Sequence, residues 1–334
     1  MAGRIQAPRP EHDAAILGLG VYRPSRRIPN AEIVDRLDSS DEWIRQRSGI
    51  RARRWAAEDE TVIAMSVAAG RDAIKDAGLT GADIDGVIVS TVSHLYQTPS
   101  AAAEIAHELG SLGAAFDISA ACAGFCYGLA MAADGIRSGS NTNVLVIGVE
   151  RLSDLTDRDD RSSAFIFADG AGAVVVGPSA EAGVGPVVWG SQGEHLDLIR
   201  QRESWFEAMA ADDGPRVPHL IMEGNPVFRW ASFEMAKVAQ RALDVAGVSA
   251  EDLDVFIPHQ ANDRITDALA RTLKLPAHIP IARDIVEQGN ASAASVPLAM
   301  QTMLEEGTAH SGDLALMIGF GAGLVYAAQV ARVP

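Results

Sequence analysis

Three separated stretches carry side chains suited to chemistry. In Ala115-Phe-Asp-Ile-Ser-Ala-Ala-Cys122-Ala-Gly-Phe-Cys126, an extended apolar run breaks on small residues, presents a cysteine and resumes at helical spacing. This reads as strand, tight turn and helix, with Phe125, Leu129 and Ala132 on one helical face toward a core. Cys122 then lies at or near the first turn of the helix. There the free N–H groups and the partial positive charge of the helix favour a thiolate, which makes Cys122 a candidate nucleophile. The same residue is equally at home as a small buried hydrophobe, so an activating partner has to be sought elsewhere in the chain.

Two later segments offer partners. Val255-Phe-Ile-Pro-His259-Gln-Ala-Asn262 is a buried strand that runs into proline and presents a histidine at its end, where reacting groups collect in α/β proteins. A lone histidine also serves commonly as a hydrogen-bonded structural residue. Gln288-Gly-Asn290-Ala-Ser-Ala-Ala-Ser-Val-Pro is a second tight turn into a helix. Asn290 is there a turn former or, placed opposite Cys122, a fixed amide donor to a developing oxyanion. Gly319-Phe-Gly-Ala-Gly323 follows the apolar strand Leu314 to Ile318 and imitates a nucleotide loop. Only eleven residues remain after Gly323, too few for the helix and strand of a nucleotide-binding unit, so a turn offering backbone N–H groups is the better reading.

The elements that must position these residues alternate along the chain. Ala14 to Leu19 reads as a strand, and Asn30 as the cap of a helix over Ala31 to Leu37. Asp41 to Trp55 gathers five arginines and two tryptophans, either a solvated face or a site where guanidinium meets phosphate and indole stacks on a flat ring. Thr61 to Ala77 and Ala101 to Leu109 read as helices, and the segment after Asp83 and Val144 to Val149 as buried strands. Such alternation predicts an α/β fold with a sheet covered on both faces. Ala77-Gly-Leu-Thr-Gly-Ala-Asp-Ile-Asp85 returns 169 residues later as Ala246-Gly-Val-Ser-Ala-Glu-Asp-Leu-Asp254, and at the same offset Leu129-Ala-Met131 returns as Leu298-Ala-Met300. Two similar halves follow, residues 1–178 and 179–334, meeting between Gly177 and Gly185. Ser191 to Pro218 lacks periodicity and reads as a surface excursion or lid.

The 334 residues carry a formal charge of −16, which argues against a general nucleic-acid binder and against attraction to anionic membranes. Met1 to Asp13 has no signal-peptide core and no apolar run is long enough for a bilayer, so the expected compartment is the cytoplasm. The two cysteines, four apart, form neither a disulfide framework nor a metal site.

Taken as an ordered set, Ala-Ala-Cys122-Ala-Gly-Phe, Pro-His259-Gln-Ala-Asn, Gly-Asn290-x-Ser-Ala-Ala-Ser and Gly-Phe-Gly-Ala-Gly resemble β-ketoacyl-acyl-carrier-protein synthase III of actinobacterial type, from about Ala14 to the C-terminus. The resemblance implies a thiolase-like fold with duplicated halves in a five-layered αβαβα arrangement, a homodimer, and no metal or cofactor beyond the substrates acyl-CoA and malonyl-acyl-carrier protein. It implies that Cys122 accepts the primer acyl group, that His259 and Asn290 assist malonyl decarboxylation, and that the N–H groups of Cys122 and Ala322 form an oxyanion hole. CoA contacts are implied for Trp43, Arg47, Arg161, Gly224, Asn225, Phe228, Asn262 and Arg264, and carrier-protein docking for Arg229, Arg264 and Arg271. Thr98 and Phe320 are implied in the acyl pocket. Thr98 stands where acetyl-primed members place a partner-subunit phenylalanine, so a longer or branched primer is expected. A priming or acyl-transferring enzyme of polyketide synthesis keeps the same three residues and remains an alternative. So, more distantly, do a cysteine hydrolase and a nucleotide-binding module.

Overall fold

The computed structural model describes residues 12–334. The reading of Met1 to Asp13 as free of a signal peptide falls almost wholly outside them.

Two sheets are built on one plan. In the first the order is Asp13–Tyr22, Asp169–Ser179, Val144–Arg151, Gly86–Ser90, Ala114–Ile118. In the second it is Val188–Ser191, Val325–Arg332, Leu314–Gly321, Val255–Pro258. Both run antiparallel through the first two pairings and then parallel. A parallel bridge from Phe256 to Ile281 stands in the second sheet where Ala114–Ile118 stands in the first.

The strands are apolar on both sides because both sides are covered. Val144 and Val146 face one core while Leu145, Ile147 and Val149 face another. Helices Val62–Asp76 and Ala101–Leu109 close the outer face of the first sheet, and Gly224–Ala246 and Asp263–Leu273 that of the second. Between the sheets lie Gly124–Ser138 and Ser295–Glu305, whose Phe125, Leu129, Val296 and Met300 belong to one core with strand residues of both. The resulting order is helix, sheet, helix, sheet, helix. Gly18 and Gly20 have a packing reason. A Cβ at either would lie within 2.5 Å of a carbonyl oxygen of the helix Val62–Asp76, so only glycine lets strand and helix approach.

The duplication is real, and its register slips. Gly78 and Gly247, both left-handed and both closing outer helices, are 169 residues apart. The tight turns into the central helices carry their left-handed residues at Ala121 and Ser292, 171 apart. The Leu-Ala-Met match is therefore two residues out of structural register, and the counterpart of Cys122 is Ala293.

Two expected elements differ. Ala31 to Leu37 forms a three-residue turn, Asn30–Glu32, followed by further turns. Asn30 is buried and spends its amide across the fold, donating to Asp41 and the Ile50 carbonyl and accepting from Arg53 at 2.5 Å. The excursion after Ser191 is partly ordered as a ribbon, Ile199–Gln201 against Leu220–Met222, with a short helix Trp205–Met209 between.

Leu129 is fully buried between the sheets. Leu129→Ala is expected to lower unfolding stability by about 3 kcal/mol, the usual cost of a large-to-small change in a packed core. Denaturant unfolding measures it, and a loss below about 1 kcal/mol would contradict the central placement of this helix.

Candidate functional site

Cys122 occupies the turn Ala121–Ala123, immediately ahead of the helix Gly124–Ser138. The end of strand Leu314–Gly321, from the other half, is pressed against it. A Cβ at Gly321 would lie 2.9 Å from Cys122 Cβ and 3.0 Å from its nitrogen and sulfur. A Cβ at Gly319 would meet the Cys122 carbonyl oxygen at 2.9 Å. The glycines of Gly-Phe-Gly thus bring Ala322 beside the sulfur, where the two line one cavity.

His259 and Asn290 are brought to the same place by backbone anchors. The His259 N–H donates to the Ile318 carbonyl at 2.7 Å, fixing the histidine at the end of Val255–Pro258. Asn290 exchanges backbone hydrogen bonds of 2.9 Å with Ile166 and Ala168. Its side-chain oxygen accepts from the Ser292 N–H at 2.8 Å, so the amide NH2 is left to donate into the cavity. The imidazole is oriented by Ser295, whose hydroxyl oxygen is 2.6 Å from Nδ1 and accepts from the Gln260 N–H at 3.3 Å. In the tautomer that carries the proton of the neutral ring on Nε2, the hydroxyl donates to Nδ1. The edge of His259 meets Phe320, ring centroids 5.3 Å apart.

Burial decides the protonation states. It drives His259 down to about 3, so the ring is a neutral hydrogen-bond donor at physiological pH. It drives the Cys122 thiol up to about 12, against donation from Ser292 and from its own N–H. The thiolate expected from the helix terminus is therefore overruled by desolvation, and the resting residue is a thiol.

Cys122 stands at the junction of two cavities. The first, about 350 Å³, is lined by Trp43, Arg47, Gly224, Asn225, Phe228, Asn262 and Arg264 and reaches Cys122, His259 and Asn290. The second, about 290 Å³, is walled by Val92, Leu152, Leu155, Phe167, Ile199 and Leu220 and also contains Ser292 and Ala322. At the outer end of the first, Arg47 and Arg161 lie 5.4 and 5.3 Å from the Trp43 ring centroid, a cation and indole cluster suited to a flat ring and phosphates. Arg53, from the same basic segment, is instead fully buried, held by Asn30 and the Ile28 and Phe165 carbonyls.

Two placements differ from expectation, and that of Thr98, implied in the acyl pocket of a partner subunit, does not. Phe320 lines the first cavity and not the second, because the strand pleat turns it with Leu316 and Ile318 toward Trp230 and the outer helices. Asn262 lines the cavity with its amide already committed, donating to the Arg47 carbonyl at 3.0 Å and capping Arg264 N–H at 2.9 Å. Thr98 is exposed and lines neither cavity of its own chain. Arg229, Arg264 and Arg271 are exposed on the two helices, Gly224–Ala246 and Asp263–Leu273, that flank the first cavity. Sequence reasoning missed Ser295 and the apolar walls of the second cavity. Ser295 was visible as the last polar residue of the Asn290 turn, whereas the walls come from five scattered segments and left no local signal.

Two outcomes follow. The His259 ring resonances should show no titration between about pH 8 and about pH 5; a midpoint near the ordinary 6.5 would contradict its burial. Gly321→Ala should reduce acylation of Cys122 at least about 100-fold with the far-ultraviolet spectrum unchanged, because the added methyl displaces the nucleophile. Unimpaired acylation, read by intact mass, would disprove the contact.

Comparison with known proteins gives this geometry relatives. Residues 116–193 match the family described as 3-oxoacyl-[acyl-carrier-protein] synthase III, and residues 243–333 its C-terminal part. Beta-ketoacyl-[acyl-carrier-protein] synthase III of Streptomyces glaucescens is 60% identical over 96% of both chains. The protein of that name from Mycobacteroides abscessus is 56% identical over 96% of this chain and 94% of its own. Among solved structures, the priming β-ketosynthase of the R1128 polyketide biosynthetic pathway superposes with a TM-score of 0.96 at 46% identity, covering 99% of each chain. The Aquifex aeolicus 3-oxoacyl-[acyl-carrier-protein] synthase III does so at 0.87 and 38%, covering 96% of this chain and 99% of its own. A cysteine, a histidine and an asparagine meeting between two like halves, in a chain of this similarity, place it in the 3-oxoacyl-[acyl-carrier-protein] synthase III family.

Proposed function

We propose that the protein condenses a primer acyl-CoA with malonyl-acyl-carrier protein, releasing CoA and carbon dioxide and leaving 3-oxoacyl-carrier protein. The observation that carries this reading is a single sulfur shared by two cavities, one lined by Trp43, Arg47, Asn225 and Arg264 and the other walled by Val92, Leu152, Leu155 and Leu220. The CoA nucleotide binds at Trp43, Arg47 and Arg161, and its pantetheine arm follows the first cavity to Cys122. The acyl chain enters the second cavity as the sulfur attacks the thioester. The N–H groups of Cys122 and Ala322 stabilise the tetrahedral oxyanion. Malonyl-carrier protein then takes the place of CoA. Its thioester oxygen accepts from His259 Nε2–H and the Asn290 amide, which hold the charge released by decarboxylation until the carbanion attacks the acyl-enzyme. Both steps need a nucleophile and oriented donors, which the chain supplies itself; no metal or redox cofactor enters the scheme.

The basic residues Arg229, Arg264 and Arg271 offer an acidic carrier protein a local landing surface on a chain of net charge −16. A homodimer is supported by the edge of strand Ala114–Ile118, unpaired among the described residues, by the exposed Leu112 and Phe116 at that strand, and by the exposed Leu95 and Tyr96 on the loop after Gly86–Ser90. In that dimer Thr98, on the loop that begins at the cavity-lining Val92, approaches the acyl cavity of the other protomer. Threonine leaves room there, and the proposed primer is a branched or straight acyl group of four or five carbons. Among the described residues no helix is long and apolar enough to cross a membrane, which is compatible with a cytoplasmic enzyme. The similarity to a polyketide priming ketosynthase favours a second pathway assignment with the same chemistry.

Exposure to a mixture of acyl-CoAs followed by intact mass should put one acyl group on Cys122, larger than acetyl, and none on Cys122→Ala. His259→Ala and Asn290→Ala should still load but lose carbon dioxide release about 100-fold or more. Loading that fails as severely as decarboxylation would overturn the division of roles. Thr98→Phe should move preference toward acetyl-CoA, and an unchanged primer ratio would remove Thr98 from the acyl cavity.

A further inference from the structure

In the proposed reaction the charge released by decarboxylation is held by His259 and the Asn290 amide, so the placing of Asn290 matters. Its backbone is held by one short segment, Phe165 to Phe167. The Asn290 N–H donates to the Ile166 carbonyl and the Asn290 carbonyl accepts from the Ala168 N–H, both at 2.9 Å, in a bridge that pairs Asn290 with Phe167. The same segment walls the site. Phe165 and Phe167 line the first cavity, and Phe167 lines the second as well. Whatever fixes this segment therefore fixes Asn290.

The segment is held from behind by strand Ala52–Trp55. Arg53 and Trp55 are two residues apart, on one face of that strand, and both donate to it. Arg53 Nη2 donates to the Phe165 carbonyl at 3.0 Å, and the Trp55 indole Nε1 to the Phe167 carbonyl at 3.2 Å. With the Ile166 carbonyl bound to Asn290, three consecutive carbonyls are taken. The turn ahead of Asn290 is seated on the same strand. A Cβ at Gly289 would lie 2.7 Å from Arg53 Cβ and 2.9 Å from Ala168 Cβ, and its φ is 77°, so only glycine lets the chain pass Arg53 on its way into Asn290.

Arg53 is fully buried among neutral partners. Its other bonds go to Asn30 Oδ1 at 2.5 Å and the Ile28 carbonyl at 3.2 Å, and its Nε has no partner among the described residues. Burial pushes it down to about 10, which leaves it a cation at neutral pH. A buried cation loses hydration that an apolar side chain of the same volume does not, so filling this space does not call for a guanidinium. Holding a backbone does, because the planar fork carries charged donors in fixed directions. We propose that Arg53 is a positioning residue for Asn290, fixing through Phe165 to Phe167 the amide that receives the decarboxylation charge. Trp55 holds the other end of the same segment. The donors of the loading step, Cys122 and Ala322, sit on other turns and are spared.

This inference rests on the proposed part of Asn290 in decarboxylation. The test compares two rates on the full-length protein: carbon dioxide release from malonyl-carrier protein, and acylation of Cys122 by isobutyryl-CoA read by intact mass. Arg53→Met, which keeps the bulk without the donors, should lower the first about 100-fold and the second by less than about 5-fold. A protein carrying both Arg53→Met and Asn290→Ala should release carbon dioxide no more slowly than Asn290→Ala alone, because a residue that acts through another adds nothing once the other is gone. Trp55→Phe, which removes one donor and no charge, should show the same pattern with a loss of about 10-fold, and it carries the test alone where circular dichroism shows Arg53→Met unfolded. Losses that multiply in the double variant, loading that falls as far as decarboxylation, or an unchanged decarboxylation rate would overturn the inference. An Asn290→Ala protein that decarboxylates as fast as wild type would instead overturn the proposed division of roles.

Discussion

The structure depends on one contact between its halves. The turn that carries Cys122 rests on the strand end Gly319–Gly321 with no room for a methyl group between them. From that contact the remaining geometry follows. The Ala322 turn is set beside the sulfur, and the neighbouring strand Val255–Pro258 delivers His259 alongside. The duplicated fold makes the contact available: each half contributes one tight turn and one central helix, and the turns meet because the central helices share the layer between two sheets. The halves then specialise. The first turn carries the nucleophile, while the second carries Asn290 and Ser292.

Low polarity is the second organising influence. The same burial keeps the cysteine as a thiol, the histidine neutral and Glu150 protonated up to about neutrality. For thioester chemistry this serves a purpose. Neutral donors in a water-poor site favour an oxyanion more than they would in solvent, and they need no reorientation when the charge develops.

The sequence was readable where the chemistry is local. Cys122, His259 and Asn290 each sit at the junction of an apolar strand or small-residue turn with a polar residue, and those junctions are visible one at a time. The outer helix Ala101–Leu109 and the strand ending Val144–Arg151 were likewise set by periodicity that tertiary packing reinforces. What was not readable depends on partners distant in the chain. Asn30 has the character of a helix cap, yet a buried Arg53 and the Ile50 carbonyl draw its amide elsewhere. Phe320 belongs to the right motif but the wrong cavity, since the pleat of its strand, not its neighbours in sequence, decides which way it faces. Glu150 has the appearance of an ordinary charged residue after an apolar strand, and only the fold shows it buried among hydroxyls. The repeat holds at its sequence offset for the outer elements, and a two-residue slip conceals that Ala293, not Ala291, is the counterpart of the nucleophile.

A crystal structure of the acyl-enzyme, trapped by soaking with isobutyryl-CoA in the absence of carrier protein, tests the account most directly. The account predicts a thioester on Cys122 with its carbonyl oxygen about 3 Å from both the Cys122 and Ala322 nitrogens and its carbon chain inside the cavity walled by Leu152, Leu155 and Leu220. An acyl chain lying instead along Trp43 and Phe228, or a carbonyl oxygen turned away from Ala322, would contradict it.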